Sequence, residues 1–186
     1  MTGKIHATAG VVFGLASVVL LNQISHEDVL GFSTALNVNE IFHRDFIHNE
    51  HIVESLKNIG LVLFLSFVGS LLPDIDHPTS TASKKMFLLS LPYRILQFIF
   101  GKIKFTKDFV GHRGITHSLL FLSIPIILML FVFQSPYLKA SMFGLGVGIF
   151  SHIFMDMLNP HGVPILMPLS KKTFRLLPKK LCIRTK

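Results

Sequence analysis

Four long apolar stretches divide this chain, and more polar segments separate them. The apolar stretches predict four membrane-spanning helices at about residues 6–22, 56–72, 117–134 and 138–158. Three of them have apolar cores of only about 14 to 16 residues, whereas a span across the hydrocarbon core needs about 20. We therefore expect these three to recruit flanking residues or to lie in locally thinned lipid.

A further apolar stretch, at residues 86–104, is interrupted by Pro92 and Arg94 and has lysines near both ends. It predicts an interfacial or re-entrant helix. The alternative is a fifth span, which would put the two termini on opposite sides. The whole pattern predicts an all-α fold, a single polytopic membrane helix bundle over residues 1–186, with about four transmembrane helices and this additional helix.

Composition agrees with a membrane protein, since 50% of the 186 residues are hydrophobic, 15% are charged and the mean hydropathy is +0.57. An ordinary soluble domain is less apolar. Lys4 precedes the first stretch as in a signal peptide, but no clear small-x-small cleavage site follows, so we interpret this stretch as a span. Because Cys182 is the single cysteine, nitrogen and oxygen atoms would have to bind any metal.

The distribution of Lys and Arg predicts the orientation. Residues 23–55 contain six acidic residues and one arginine, Arg44. Of the 18 Lys and Arg residues, seven lie in 73–116, seven lie in 159–186, and Lys4 precedes the first span. The positive-inside rule thus predicts an acidic external segment, a basic internal segment and a basic C-terminal tail over these three ranges. We expect a multi-pass protein of the inner (cytoplasmic) membrane with both termini cytoplasmic. Its net charge of +8 suits anionic lipid head groups and needs no nucleic acid.

Polar side chains that a membrane span does not need lie at the predicted cytoplasmic end of every span. A histidine opens the first span, "PDIDH" closes the second, "GHRGITH" opens the third, and "HIFMD" lies near the end of the fourth. Ionisable side chains at membrane depth are costly and usually mark function. The candidate metal ligands are His6, Asp74, Asp76, His77, His112, His117, His152 and Asp156.

The local sequence gives each motif a physical reason. His152 and Asp156 are four residues apart, so both project from one helix face. Pro73 discourages regular helix before the two aspartates, and Gly114 permits a bend before the third span. Thr116 is the expected N-cap of that span. Three carboxylates and five imidazoles can bind two divalent ions through a bridging carboxylate, with zinc the first choice and manganese or iron the alternatives.

Each motif also has an interpretation without metal. A lone histidine such as His6 can be a polar anchor at the interface, and "PDIDH" can be a helix-terminating turn. Eight such side chains at one membrane face together favour a shared metal site. His161 is a more distant candidate in a sequence that also indicates a helix stop. The four histidines of the external segment are expected to be solvated, namely His26, His43, His48 and His51.

Four motifs together resemble the YdjM-like family of inner-membrane proteins, which are described as membrane-bound metal-dependent hydrolases. They are "GKIHATAG", "LLPDIDHP", "GHRGITHSL" and "SHIFMDMLNPHGVPILMP", and they span nearly the whole chain apart from the external segment. The family is in turn similar to zinc-dependent phospholipase C and related nucleases, helical enzymes whose clustered metals hydrolyse phosphoesters. The resemblance implies the same eight candidate ligands.

These observations predict a metal-dependent hydrolase that acts on a phosphoester in a membrane lipid or a lipid-linked phosphate. Metal ions would activate a water and neutralise phosphoryl charge. Arg113 is the candidate phosphate clamp because a guanidinium pairs bidentately with oxyanions. Asp76 is the candidate bridging ligand or base. The expected partners are membrane lipid and an amphiphilic substrate that bears a phosphate.

A non-catalytic metal-binding membrane protein is the alternative function. An ion carrier would need polar side chains at the midplane, where the predicted spans provide only serine, so an enzyme is favoured over a carrier. A structural metal, whose ligands leave no open coordination position, is the other form of this alternative. The sequence predicts no oligomeric state.

Cysteine labelling in intact cells tests the predicted orientation. Cysteines introduced into residues 23–55 should react with a membrane-impermeant maleimide. A cysteine introduced at Lys180, with Cys182 replaced by serine, should react only after the membrane is permeabilised, because positively charged segments stay cytoplasmic during insertion. Labelling of the tail in intact cells would contradict this orientation.

Overall fold

The computed structural model describes residues 3–24, 50–77, 80, 83–84, 87–102, 111 and 113–182. Within these ranges the regular secondary structure is helical, apart from one isolated β-bridge between Val163 and Phe174, and residues 158–182 form turns and irregular structure. The predicted all-α membrane bundle is confirmed. The helices are α1 (Gly3–Ile24), α2 (Glu50–Gly69), α3 (Phe87–Phe100), α4 (Leu119–Ile127), which continues into a π-helical turn (Leu128–Val132), and α5 (Pro136–Met157).

Three apolar segments are long enough to cross a membrane, and they correspond to predicted spans one, two and four. They are Gly3–Leu21, Ser55–Asp76 and Pro136–Met157. The segment predicted as the third span is shorter, since its helical part runs over Leu119–Val132. At about 1.5 Å per residue it is roughly 21 Å long, against about 30 Å for the hydrocarbon core.

Helix α3 lies in the stretch for which an interfacial or re-entrant helix was predicted. It has 14 residues and contains Pro92. A helix of this length extends about 21 Å, the same as the helical part of the predicted third span. Length alone therefore does not distinguish a re-entrant helix from a fifth span, and the interfacial or re-entrant interpretation stays a prediction.

Small residues let α2 pack closely against α1 and α5. The Ser66 hydroxyl donates a hydrogen bond to the Gly10 carbonyl at 2.6 Å. Gly148 of α5 faces the Ser66 carbonyl and the Ser70 amide so closely that a Cβ atom would not fit. Small residues at such contacts allow helix backbones to approach in a membrane. Helix α2 thus packs closely against both α1 and α5, and its C-terminal end lies against α5.

Short 3₁₀ turns lie at the ends of α2 and α4. One covers Pro73–Asp76 after α2, and the other covers Ile115–His117 before α4. The predicted N-cap at Thr116 is wrong, because the cap of α4 is Ser118, whose hydroxyl accepts from the Phe121 amide. Because of the 3₁₀ turn, the N-cap is two residues later than predicted, at Ser118. The Thr116 hydroxyl does not cap the helix and makes a different contact.

The described part of the tail, residues 159–182, folds back onto the same end of the bundle. The Leu119 amide donates to the Ile165 carbonyl at 2.9 Å, and the Leu176 amide donates to the Met157 carbonyl at 3.0 Å. The tail thus connects the start of α4 to the end of α5 and holds these two helix ends in a fixed relation.

Two glycines of α5 provide a matched test of this packing. Gly148→Ala should lower the thermal midpoint in detergent, because its Cβ would meet α2 backbone. Gly146→Ala should leave the midpoint unchanged or raise it, because its Cβ would lie 3.8 Å from the nearest atom, on Pro125, and alanine favours helix by about 1 kcal/mol. Thermal circular dichroism measures both, and equal midpoints for the two variants would contradict the close approach.

Candidate metal centre

Histidine and aspartate side chains from four parts of the chain converge at one end of the bundle. They come from the first turns of α1, the 3₁₀ turn after α2, the 3₁₀ turn before α4, and the last turns of α5. They form two overlapping groups, in each of which one donor atom per residue lies within 4.8 Å of the others. The groups are His6, Asp74 and His152, and His117, His152 and Asp156.

The Asp156 carboxylate is at the centre of this cluster. Its oxygens lie 3.5 Å from His6 Nε2, 3.7 Å from His117 Nε2 and 4.0 Å from His152 Nε2. These distances exceed the roughly 2.7–3.2 Å of a hydrogen bond. Two donors that each lie about 2.1 Å from one tetrahedral ion would be roughly 3.4 Å apart. The spacing of these atoms is therefore closer to that of ligands around an ion.

His152 is held in the tautomer that a metal ligand requires. Its Nδ1 lies 2.6 Å from the Ser70 carbonyl oxygen, which can only accept, so Nδ1 carries the proton. The lone pair of the neutral ring is then on Nε2, which is buried and has no hydrogen-bond partner among the described residues. Nε2 faces Asp74 Oδ1 at 3.7 Å as well as Asp156. A lone pair that faces two carboxylates fits a bound cation.

His117 is oriented by a chain of hydrogen bonds that begins at Asp76. The Thr116 hydroxyl donates to Asp76 Oδ2 at 2.8 Å and lies 3.1 Å from His117 Nδ1. Because the hydroxyl proton is used toward the carboxylate, its oxygen accepts from Nδ1–H. The lone pair of His117 is then on Nε2, which faces Asp156. A carboxylate that fixes a histidine tautomer from behind is a common arrangement around protein metal ions.

Burial and ring stacking disfavour two adjacent protonated imidazoles in this cluster. His6, His117 and His152 are at most 1% exposed, and Asp156 is 3% exposed. The His6 and His152 rings stack with centroids 3.8 Å apart and an interplanar angle of 16°. Two protonated rings would repel each other at this distance. The donor set therefore fits a divalent cation, which requires neutral imidazole and ionised carboxylate ligands.

Arg113 connects the turn before α4 to Asp76 and Asp156. Its backbone has a positive φ of 60°, which is uncommon for a residue other than glycine. Its backbone amide donates to Asp76 Oδ2 at 2.9 Å, and its Nη2 lies 3.3 Å from Asp156 Oδ2. The bond to Asp76 stabilises the strained backbone, and the strained backbone directs the guanidinium into the cluster.

Helix α3 contacts this site from the side of Asp76. The Gln97 side chain donates to the Asp76 carbonyl at 2.8 Å. The Tyr93 hydroxyl is buried without a hydrogen-bond partner among the described residues. Burial, and next the charge of Asp76, raises the pKa of the Tyr93 phenol above its ordinary value. The additional helix thus covers part of the site.

Not every predicted ligand lies in the two donor groups. His77 is half-buried and, like Asp76, belongs to neither group. His112 lies outside the described residues, so its ligand role stays a prediction. His161 is exposed and belongs to neither group. Among the external histidines, His26, His43 and His48 lie outside the described residues, and His51 is described only as part of the α2 backbone.

Three contacts of the site were not predicted from the sequence. They are the Ser70 carbonyl behind His152, the Thr116 hydroxyl behind His117, and the Asn159 amide, which donates to Asp156 Oδ1 at 2.8 Å. Thr116 lies within a predicted motif, and Asn159 is three residues after Asp156, so both positions carried a signal. The contact of His152 is different, because every residue has a backbone carbonyl and the identity of Ser70 therefore could not indicate it.

Comparison with known proteins relates this chain to bacterial inner membrane proteins. The family model described as YdjM inner membrane protein matches residues 1–182. Inner membrane protein YdjM of Escherichia coli (strain K12) is 38% identical over 102 residues, which are 53% of this chain and 44% of that protein. Uncharacterized protein YvsG of Bacillus subtilis (strain 168) is 34% identical over 103 residues, 54% of this chain and 53% of that protein. The chain thus spans about half the length of these curated relatives. No solved structure matches it significantly.

Removal of either central donor tests the metal interpretation. His152→Ala and Asp156→Asn should each lower the metal content of the purified protein about 10-fold or more, since even residues that only orient ligands have effects of this size. His161→Ala should retain metal, because the His161 side chain is exposed and belongs to neither donor group. Elemental analysis by mass spectrometry measures all three. Unchanged metal in the first two variants would show that these side chains do not bind it.

Proposed function

Since the chain belongs to the YdjM inner membrane protein family, we propose that it is a metal-dependent hydrolase embedded in the membrane. Its substrate is a phosphoester in a membrane lipid or a lipid-linked phosphate. The observation that carries this proposal is the convergence of buried imidazole Nε2 atoms on Asp156, with the Arg113 guanidinium beside the same carboxylate.

The side chains that would hold metal are the members of the two donor groups. The groups share His152, whose single available nitrogen ligates one ion. The described donors therefore support one ion fully, and a second ion would need Asp74 together with further ligands such as the predicted His112. Zinc suits this mixture of nitrogen and carboxylate donors, and manganese or iron are alternatives. When bound, a divalent ion supplies Lewis acidity toward a water and toward the phosphoryl oxygens.

Arg113 would bind the phosphate of the substrate. A guanidinium has five N–H donors, and in this site Nη2 approaches Asp156 while Nε makes no hydrogen bond among the described residues. The side chain is 23% exposed, so an incoming phosphate could reach it. The Arg113 guanidinium would compete with a metal ion for the negative charge of the Asp156 carboxylate. A bound phosphate removes this competition by drawing the guanidinium away from Asp156.

Asp76 would act mainly by positioning other groups. Its Oδ2 accepts from the Arg113 amide and from the Thr116 hydroxyl. Through these two bonds it fixes both the direction of the guanidinium and the tautomer of His117. The bridging or base role predicted for Asp76 from the sequence stays a prediction.

The place of the cluster in the bundle suits an amphiphilic substrate. The donors lie at one end of the candidate spans, and the charge distribution predicts that this end is cytoplasmic. A lipid phosphate at the interface would reach the donors while its hydrocarbon chains stay in the membrane. We therefore propose membrane lipid as the source of the substrate, with the site and both termini on the cytoplasmic side.

A structural metal site is the competing proposal, and burial is the observation that favours it. His6, His117, His152 and Asp156 are almost inaccessible, as are the ligands of closed structural sites. The partly exposed side chains of Arg113, at 23%, and Asp74, at 17%, favour an open site instead. Substitution of Arg113 separates the two proposals.

Arg113→Ala should leave folding and metal content intact and lower hydrolysis of phospholipids or isoprenoid phosphates by about 10²-fold or more, the loss typical of one missing transition-state donor. Arg113→Lys should recover only part of the rate, because it keeps the charge but not the planar fork. Metal analysis and a hydrolysis assay on both variants provide the measurements.

Arg175→Ala is the matched control, since that guanidinium donates to the Pro160 carbonyl outside the cluster. Its rate and metal content should equal those of the unmodified protein. Loss of metal from Arg113→Ala would mean that the arginine holds the site together and would favour the structural metal. Normal hydrolysis by Arg113→Ala would remove this residue from the mechanism.

A further inference from the structure

We propose that an open groove between α1 and α5 binds the hydrocarbon chain of an anionic, phosphate-bearing lipid, with Lys4 as the residue that binds its head group. This inference rests on the proposed function, and it names the subsite through which the substrate would approach the candidate metal centre. The groove has a volume of about 440 Å³, within the roughly 300–1,000 Å³ that is usual for ligand sites.

The lining of the groove suits a hydrocarbon chain. Ile5, Ala9 and Val12 are spaced by four and three residues, so they form one apolar strip along α1. Met155 of α5 forms the opposite side. The Thr8 hydroxyl, which also lies in the lining, donates to the carbonyl of Lys4 at 3.0 Å and is thereby satisfied within its own helix.

The groove begins at the same depth along α1 and α5 as the candidate metal centre. Lys4 precedes His6 by two residues, and Met155 directly precedes Asp156. At about 1.5 Å per residue, Lys4 and His6 differ by roughly 3 Å along the helix axis, and Val12 lies roughly 9 Å beyond His6. Side chains two residues apart project from different helix faces, so Lys4 lies at the depth of His6 but on the exposed side of α1. A lipid with its phosphate at Lys4 would thus extend its chain along α1 into the membrane.

Lys4 gives the groove its selectivity. It is exposed, and it carries the only charge among the described residues that line the groove. A lysine at the membrane interface attracts anionic head groups. A second groove, between α4 and α5, has about 210 Å³ and contains only apolar side chains and a glycine in its described lining, including Phe143. This second groove is the internal comparison, because it can take a chain but cannot select a phosphate.

A tryptophan reporter tests the proposal without metal or turnover. The chain contains no tryptophan, so Phe13→Trp, in the groove lining, provides one signal, with Val12→Trp as a second reporter. The protein is placed in phosphatidylcholine nanodiscs and titrated with dodecyl phosphate brominated on its chain, which quenches nearby tryptophan. Quenching should saturate, and Lys4→Gln should raise the half-saturating concentration about five-fold, the effect of one lysine near the membrane surface.

The controls separate a selective subsite from ordinary contact with lipid. Brominated dodecyltrimethylammonium, with the same chain and the opposite charge, should give no saturable quenching. Phe143→Trp in the apolar groove should be quenched equally by the two probes. The proposal is overturned if both probes quench Phe13→Trp alike, or if Lys4→Gln leaves half-saturation unchanged. Because neither metal nor hydrolysis enters this assay, its failure leaves the proposed hydrolase standing, and a protein without hydrolytic activity could still show the subsite.

Discussion

The imidazole lone pairs that face the Asp156 carboxylate are the constraint on which the rest of this structure depends. In a buried site of low dielectric, a lone pair opposite a carboxylate is unfavourable unless a cation lies between them. The His152 Nδ1–H donates to the Ser70 carbonyl and the His117 Nδ1–H donates to the Thr116 oxygen, which leaves the two rings no other neutral tautomer. The two rings thus present their lone pairs to the carboxylate in the arrangement that a bound divalent ion would need.

This commitment depends on helix packing at a distance from the site. The Ser70 carbonyl can reach His152 only because Gly148 lets the end of α2 lie against α5. A side chain at that glycine would move the carbonyl as well as the helix. Packing and chemistry are therefore coupled through the same few backbone atoms, and the small residues of α2 and α5 matter for the site although none of their side chains belongs to it.

Two cationic side chains lie at this end of the bundle, one in the cluster and one in the open groove. Arg113 lies beside Asp156 at 3.3 Å, and Lys4 lies two residues before His6 at the start of the open groove. In a site that also holds a divalent ion, the ion and the Arg113 guanidinium would repel each other unless an anion joined them. A phosphate beside Arg113 would supply this anion, and the groove beside Lys4 would accommodate the chain of an anionic lipid. The charges and the groove thus support the same class of ligand.

The sequence by itself determined the class of fold and much of the donor set. Apolar runs dictate membrane helices because lipid tolerates no unpaired backbone groups, and a spacing of four residues puts His152 and Asp156 on one helix face. Only the tertiary structure decided that the Thr116 hydroxyl turns to Asp76 instead of capping α4, that His77 and Asp76 lie outside the donor groups, and that a carbonyl of α2 fixes His152. Residue spacing sets directions within one helix, whereas contacts between helices depend on how closely their backbones pack, and that distance is not encoded in any local pattern.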